Sequence, residues 1–254
     1  MANKYDITNK NVLITGAAGQ IGQALVKSFL ENGAYVYAVD LMPAPDPKLI
    51  EAVGEHNAKF VYISGSITTE ASIEGIFSQV ARPLDVLVNC AGIGVYTPFE
   101  KRTEEELDSV YNTNLKGTIL MSKKAAEGMK ERGQGTIINF GSIYGVTTPD
   151  FRIYGDSGRN SSEIYGATKA GIIHFTEYLA AYFAKSGITA NSISPGGVFR
   201  AQDPSFVEKY EYKTPLGRMA SPEDLVGTIL FLASPDARYI TGQNITVDGG
   251  FTVW

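Results

Sequence analysis

One cysteine, Cys90, stands in 254 residues, so no disulfide can form within the chain. Long uncharged apolar runs are missing as well. The longest candidate for a membrane span, residues 171–184, is interrupted by His174, Thr176 and Glu177. The start, Met1-Ala2-Asn3-Lys4-Tyr5-Asp6, lacks the apolar core of a secretory leader. Positive charge is short too: 22 Lys and Arg against 27 Asp and Glu leave a net charge of −5, and the basic residues are scattered. That speaks against nucleic-acid and anionic-membrane partners, since both ask for a basic patch. His56 and His174 are too few and too isolated for a metal site, and both read as structural. What remains is an ordinary globular composition, 44% apolar and 19% charged. The expectation is a soluble, cytoplasmic protein.

Short β-branched runs alternate with amphipathic segments along the chain. Residues 12–15 read as a buried strand, followed by glycine-rich sequence and a helix over about 22–32 that Gly33 ends. Further strands are expected at 35–39, 59–63, 85–89, 136–140, 189–193 and 244–247, with helices at 72–80, 103–132, 165–185 and 222–233. Alternating strands and helices predict a parallel sheet covered on both faces, and near-continuous apolar strands agree with burial on both sides. No linker divides the chain; the Pro-rich stretch 42–47 is too early and too short. One α/β domain over residues 1–254 is expected, a doubly wound parallel sheet.

The segment Thr15-Gly16-Ala17-Ala18-Gly19-Gln20-Ile21-Gly22 lies where the first strand turns into the first helix. Glycines there let the backbone turn tightly and approach a pyrophosphate, whose charge meets the N–H groups of the helix start. Asp40 follows the second strand, some twenty residues past the glycines, where a carboxylate can accept both adenosine ribose hydroxyls. The same charge repels a 2′-phosphate, and no Arg or Lys follows in Leu41-Met42-Pro43, so NAD is favoured over NADP.

Tyr165-Gly166-Ala167-Thr168-Lys169 opens a helix, and the i,i+4 spacing stacks Tyr165 and Lys169 on one face. A phenol ordinarily titrates near pH 10. An ammonium nearby, together with a positive nicotinamide, favours phenolate, and a Tyr so tuned can exchange a proton with a ketone or alcohol oxygen. Alone, such a pair is an ordinary feature of a helix surface.

Taken together with Asn89-Cys90-Ala91-Gly92, Asn112-Thr113-Asn114-Leu115-Lys116-Gly117, Gly141-Ser142, Ser194-Pro195-Gly196 and Asp248-Gly249-Gly250, these segments resemble the short-chain dehydrogenase/reductase family over nearly the whole chain. The resemblance implies a single-domain Rossmann fold and an NAD-dependent oxidoreductase acting on a small molecule. It also implies that Ser142 hydrogen-bonds the reacting oxygen, that Tyr165 transfers the proton, and that Lys169 holds the nicotinamide ribose. Asn114 would support a water linking Lys169 to solvent. Gly16, Gly19, Gln20, Ile21 and Gly22 would hold the diphosphate. Asn89, Ala91 and Gly92 would lie along the adenosine side, and Pro195, Gly197 and Val198 near the nicotinamide. A homotetramer built through the helices carrying Tyr165 and Asn114 is implied too; apolar residues such as Ile172, Phe175, Leu179 and Phe183 fit either that interface or a single core-facing stripe.

Four departures bear on function. Gln20 holds the place where most single-domain members have the middle glycine. In Ser64-Gly65-Ser66-Ile67, Ser66 aligns with an adenine-contacting Asp, leaving adenine to Ser66, to backbone near Ile67, or to looser holding. Arg200 stands at the position of a Thr, where it meets a cofactor phosphate or an anionic substrate, or else is a solvated loop residue. Finally, the segment from Ser142 to Tyr165 is longer than the family's habit, and its insert over 149–160 carries Asp150, Arg152, Tyr154, Asp156 and Arg159. Tyr144, Arg152 and Arg200 are expected at the substrate with Ser142 and Tyr165. A polar, sugar- or polyol-like substrate follows, in keeping with a similarity to members from flagellin-modification and nonulosonic-acid sugar pathways. The alternative is a 3-oxoacyl carrier-protein or small-ketone reductase; the distant one is a catalytically inactive dinucleotide sensor. Cys90 is expected to pack rather than react, and the apolar end of the chain, residues 248–254, to dock on the body or a neighbour.

Overall fold

A computed structural model describes residues 5–155 and 159–254; Asp156 of the insert and Met1 to Lys4 at the start lie outside the described residues. In chain order the elements are β1 (Asn11–Thr15), α1 (Gln20–Glu31), β2 (Tyr35–Asp40), α2 (Pro47–Val53), β3 (Phe60–Ser64), α3 (Glu70–Phe77), β4 (Val86–Asn89), α4 (Glu104–Val110), α5 (Gly117–Arg132), β5 (Gly135–Phe140), α6 (Glu163–Phe183), β6 (Ile188–Pro195), α7 (Pro204–Lys213), α8 (Glu223–Ala233) and β7 (Asn244–Val247). All seven strands join one sheet in the order β3-β2-β1-β4-β5-β6-β7, and every pairing is parallel.

Strand alternation sorts the core onto two faces. Val12 and Ile14 of β1 pack with Leu25, Phe29, Leu49 and Ile229 from α1, α2 and α8. Leu13, between them, points the other way, with Ile73, Ile76, Met121, Met129 and Leu179 from α3, α5 and α6. The doubly wound arrangement expected from the sequence is therefore present. Its strand order reverses at β1, which pairs with β2 on one side and β4 on the other. At such a reversal the connections leave in opposite directions and open a crevice beyond the carboxyl ends of the strands.

Three elements differ from expectation. The helix expected over 103–132 is interrupted by a π-helical turn, Tyr111–Lys116, between α4 and α5. Periodicity alone is blind to one turn of wider winding. Helices α2 and α7 were not anticipated. Each starts on an Asp-Pro pair: Asp46 accepts the Leu49 N–H at 2.7 Å, and Asp203 accepts those of Ser205 and Phe206 at 3.0 and 3.3 Å. An N-cap acid before a proline is a start signal that short length disguised.

The insert and the end of the chain meet in a third, smaller core made of Ile143, Ile153, Tyr154, Tyr210, Met219 and Phe251. Phe251 stacks on Tyr210 at 4.6 Å, and Trp254 Nε1 donates to the Lys213 carbonyl at 2.7 Å, so the chain's last residues dock on its own body. Ile172 and Leu179 are buried, and Phe175 and Phe183 pack against the same core, so the apolar stripe read from α6 faces inward. Among the described residues no helix is long and apolar enough to cross a membrane.

Candidate active site

A cleft of about 880 Å³ opens at the carboxyl ends of the strands, over the β1–β4 reversal. Its first end is built around the glycine turn after β1. Gly16 has φ 69°, and a Cβ there would lie 2.7 Å from Ala91 Cα. Thr15 Oγ1 accepts the Ala91 N–H at 3.1 Å, fastening the turn after β1 to the turn after β4. A side chain at Gly22 would collide with the Gly16 carbonyl oxygen. Gly19 caps α1 with no side-chain bond, and Gly19, Gln20, Ile21 and Gly22 all line the cleft, leaving the first-turn N–H groups for a bound anion. Gln20 crosses the cleft instead: its Nε2 donates to the Phe199 carbonyl at 2.8 Å.

Asp40, ending β2, also lines this end. One oxygen accepts the Ala18 N–H at 2.9 Å and the other the Leu41 N–H at 2.8 Å, so the carboxylate is oriented by the loop it faces. Ser66 and Ile67 form the wall beyond. The Ser66 hydroxyl is engaged by Thr68 Oγ1 at 2.9 Å and by the Thr68 N–H at 3.2 Å. Ala91 and Gly92 line the middle, beside Cys90, whose thiol burial pushes up to about 12. That thiol is no nucleophile near neutrality.

At the other end, Ser142 lies two residues past the end of β5. Its hydroxyl accepts the Tyr144 N–H at 3.1 Å and faces the side chain of Tyr165 closely enough to act on its phenol. Tyr165 sits in the first turn of α6, its N–H held by the cap residue Ser162 at 3.3 Å. One turn on, Lys169 is 4% exposed; its Nζ donates to the Phe140 carbonyl at 2.7 Å and lies 5.7 Å from the centre of the Tyr165 ring. Burial lowers the Lys169 ammonium to about 8. Burial also raises the Tyr165 phenol, only partly countered by Ser142. The chain by itself therefore does not favour phenolate: desolvation outweighs the lowering from Ser142, and the lowering expected from sequence requires a further positive charge in the cleft.

Pro195, Gly197, Val198 and Arg200 line the cleft after β6. Gly197 donates its N–H to the Tyr210 hydroxyl, and the Arg200 N–H bonds Gln202 Oε1 at 2.7 Å. Tyr144 also lines the cleft, its hydroxyl 3.0 Å from that of Tyr154.

Three residues expected at the site do not line it. Arg152 has a 90% exposed side chain and forms a two-pronged pair with Asp150, at 2.8 and 2.7 Å, because the carboxylate two residues upstream captures its guanidinium locally. Asn89 points into the sheet, donating to Ser122 Oγ at 3.0 Å and Asn139 Oδ1 at 2.9 Å. Asn114, fully buried in the π turn, clamps the backbone of Ile93 from both sides, accepting its N–H at 2.8 Å and donating to its carbonyl at 2.9 Å. The insert reaches the cleft through Tyr154 and Arg159, and its charged and polar residues are the basis for expecting a polar substrate; Tyr96, Ser161, Phe206 and Tyr210 line the cleft as well without having been named for it. The guanidinium of Arg159 lies 4.1 Å over the Tyr96 ring.

Comparison with known proteins fits this geometry. A family model described as enoyl-(acyl carrier protein) reductase matches residues 16–252. The 3-oxoacyl-[acyl-carrier-protein] reductase of Thermotoga maritima is 34% identical, the match spanning 97% of this chain and 99% of that protein. The (3R)-3-hydroxyacyl-CoA dehydrogenase of Rattus norvegicus is 33% identical over 98% and 99%. A short-chain dehydrogenase of Leptospira borgpetersenii, solved with bound NAD+, superimposes with a TM-score of 0.89 at 48% identity, covering 99% of this chain and 97% of that one.

Proposed function

The chain belongs to the short-chain dehydrogenase/reductase family, and from that premise we propose that it moves a hydride between NAD and a secondary alcohol or ketone on a polar, sugar- or polyol-like molecule, with Tyr165 as the proton-transfer group. It is an oxidoreductase of that family, and NAD is its cofactor, as in the Leptospira relative. The cradle fits a dinucleotide: Gly16 and Gly22 leave no room for side chains, α1 offers uncapped N–H groups, and Asp40, held at the glycine loop, would accept the ribose hydroxyls. When bound, NAD accepts or delivers the hydride.

The observation that carries the reading is the meeting of Ser142, Tyr165 and Lys169 at one end of a cleft whose other end is the glycine turn. In reduction, Ser142 donates a hydrogen bond to the substrate oxygen and Tyr165 Oη passes it a proton. In oxidation, Tyr165 Oη takes the proton of the alcohol. Lys169 holds positive charge near Tyr165, which favours the phenolate that takes the alcohol proton in oxidation and that is left when Tyr165 gives up its proton in reduction. Asn114 is a positioning residue in this scheme, fixing Ile93 beside the cleft.

The polar substrate class is supported by the lining of that end: the paired hydroxyls of Tyr144 and Tyr154, Ser161 and Arg159. The relatives from Thermotoga and rat, both named for acyl substrates, favour a second reading, a 3-oxoacyl or hydroxyacyl reductase. Assembly as a homotetramer in the cytoplasm belongs to the proposal; Tyr178 and Tyr182, 56% and 63% exposed and stacked at 5.6 Å on the outer side of α6, supply an apolar contact for a second copy.

Two measurements test the function. Tyr165→Phe is expected to lose hydride transfer by about 10²–10⁴-fold, the usual worth of general acid–base catalysis, while NADH still binds. Turnover at the parent rate would remove Tyr165 from the mechanism. A NAD+ reduction screen across sugar nucleotides, polyols and hydroxyacyl thioesters decides the substrate: efficient acyl turnover with no sugar or polyol oxidation gives the second reading.

A further inference from the structure

We propose that Gln20 is a latch: a positioning residue that ties the loop after β6 across the cofactor cleft and slows release of the dinucleotide. The inference rests on the NAD-dependent reading above. Gln20 is the first residue of α1, and its Nε2 reaches the Phe199 carbonyl at 2.8 Å across 179 positions of sequence. Phe199 is held from its other side as well, its N–H donating to the Ala220 carbonyl at 2.8 Å.

Beyond Phe199 the loop is laced to itself. The Arg200 N–H bonds Gln202 Oε1 at 2.7 Å, and Gln202 Nε2 bonds the Val198 carbonyl at 2.8 Å. Between them Ala201 has φ 50°, the left-handed region that a residue with a Cβ enters at a cost of roughly 1 kcal/mol or more. A loop carrying that strain does not hold its path by local preference, so the outside tether from Gln20 helps fix it. Gln20, Val198 and Arg200 line the same cleft, so the tether joins two of its walls. A dinucleotide seated on the glycine turn leaves by parting those walls. The loop then runs into α7, whose Phe206 and Tyr210 line the substrate end, so the tether fixes both compartments.

The experiment is stopped-flow NADH release, followed by nicotinamide fluorescence, on the parent, Gln20→Met and Gln20→Glu. Met keeps the length and removes the donor; Glu keeps the shape and sets a carboxylate against the carbonyl. Both are expected to release NADH roughly 3- to 10-fold faster, the worth of one hydrogen bond, with melting temperature held; the uncharged Gln20→Met also keeps the parent association rate. Release at the parent rate from both variants overturns the latch while leaving NAD dependence intact. A parent that binds no NADH overturns the cofactor reading and the latch with it.

Discussion

Asp40 accepts the backbone N–H of Ala18 at 2.9 Å, so the carboxylate proposed to select the nucleotide also anchors the glycine turn proposed to cradle its phosphates. The two roles are expected to fail together. Asp40→Ala should weaken NAD+ binding by about 10- to 100-fold, since hydrogen bonds to a charged group contribute about 1.5–3 kcal/mol. It should also narrow the preference over NADP+, because the charge opposing a 2′-phosphate is gone. Calorimetric titration with both dinucleotides checks this, and an unchanged NAD+/NADP+ ratio would refute the selector role.

Glycine substitutions should separate the cradle from ordinary helix positions. Gly22→Ala sets a methyl against the Gly16 carbonyl oxygen and 2.7 Å from Ala17 Cα, all backbone. We expect a loss of about 1–3 kcal/mol or more and no measurable NADH binding. Gly227→Ala, inside α8 with nothing within 4 Å, should instead stabilise by roughly 0.5–1 kcal/mol. Paired thermal melts and NADH titrations read both.

Lys169 gives a pH signature. Its folded pKa of about 8 is below the ordinary 10.5, so between those values the folded protein has shed a proton that the unfolded chain keeps. Stability therefore rises with pH across that window as the cost of a buried ammonium is relieved, by on the order of 3 kcal/mol at about 1.4 kcal/mol per pKa unit. Lys169→Met should lack this rise. Cys90, held protonated to about 12, lowers stability above pH 9, and since Lys169 acts on that thiol the difference between the two proteins is read between about pH 7.5 and 9. Urea melts across that range measure it; parallel curves would contradict the assignment.

Asn114→Ala removes both side-chain bonds to the Ile93 backbone. Exchange of the Ile93 amide hydrogen should accelerate about ten-fold or more, with turnover falling further than NADH affinity. An Ile93 amide as protected as in the parent would show that the clamp is dispensable.

Much of this was legible in the sequence, for physical reasons. Parallel strands buried on both faces read as apolar runs, and each of the seven expected strands overlaps an observed one, Asn244–Val247 with the same bounds. The glycine turn and the Tyr165–Lys169 spacing are local in sequence, so their chemistry showed. Arg152 was misplaced because a charge is visible in a sequence and its nearest partner's geometry is not; Asp150 claims it two residues away. Tyr96 and Tyr210 come to the cleft from loops and helices far apart in the chain, and no spacing announces that convergence.

The contact between Gly16 and Ala91 has a consequence for how such a protein diversifies. Where the two halves of the sheet meet, the gap is fixed by main-chain atoms and by the bond from the Ala91 N–H to the Thr15 hydroxyl, so strand substitutions other than at Thr15 leave its width alone. The opposite wall is closed by the insert and α7, which share a small core of their own around Tyr154, Tyr210 and Phe251. That wall is an exchangeable part: it can be lengthened, shortened or repacked to suit a new alcohol while the hydride donor's seat keeps its dimensions.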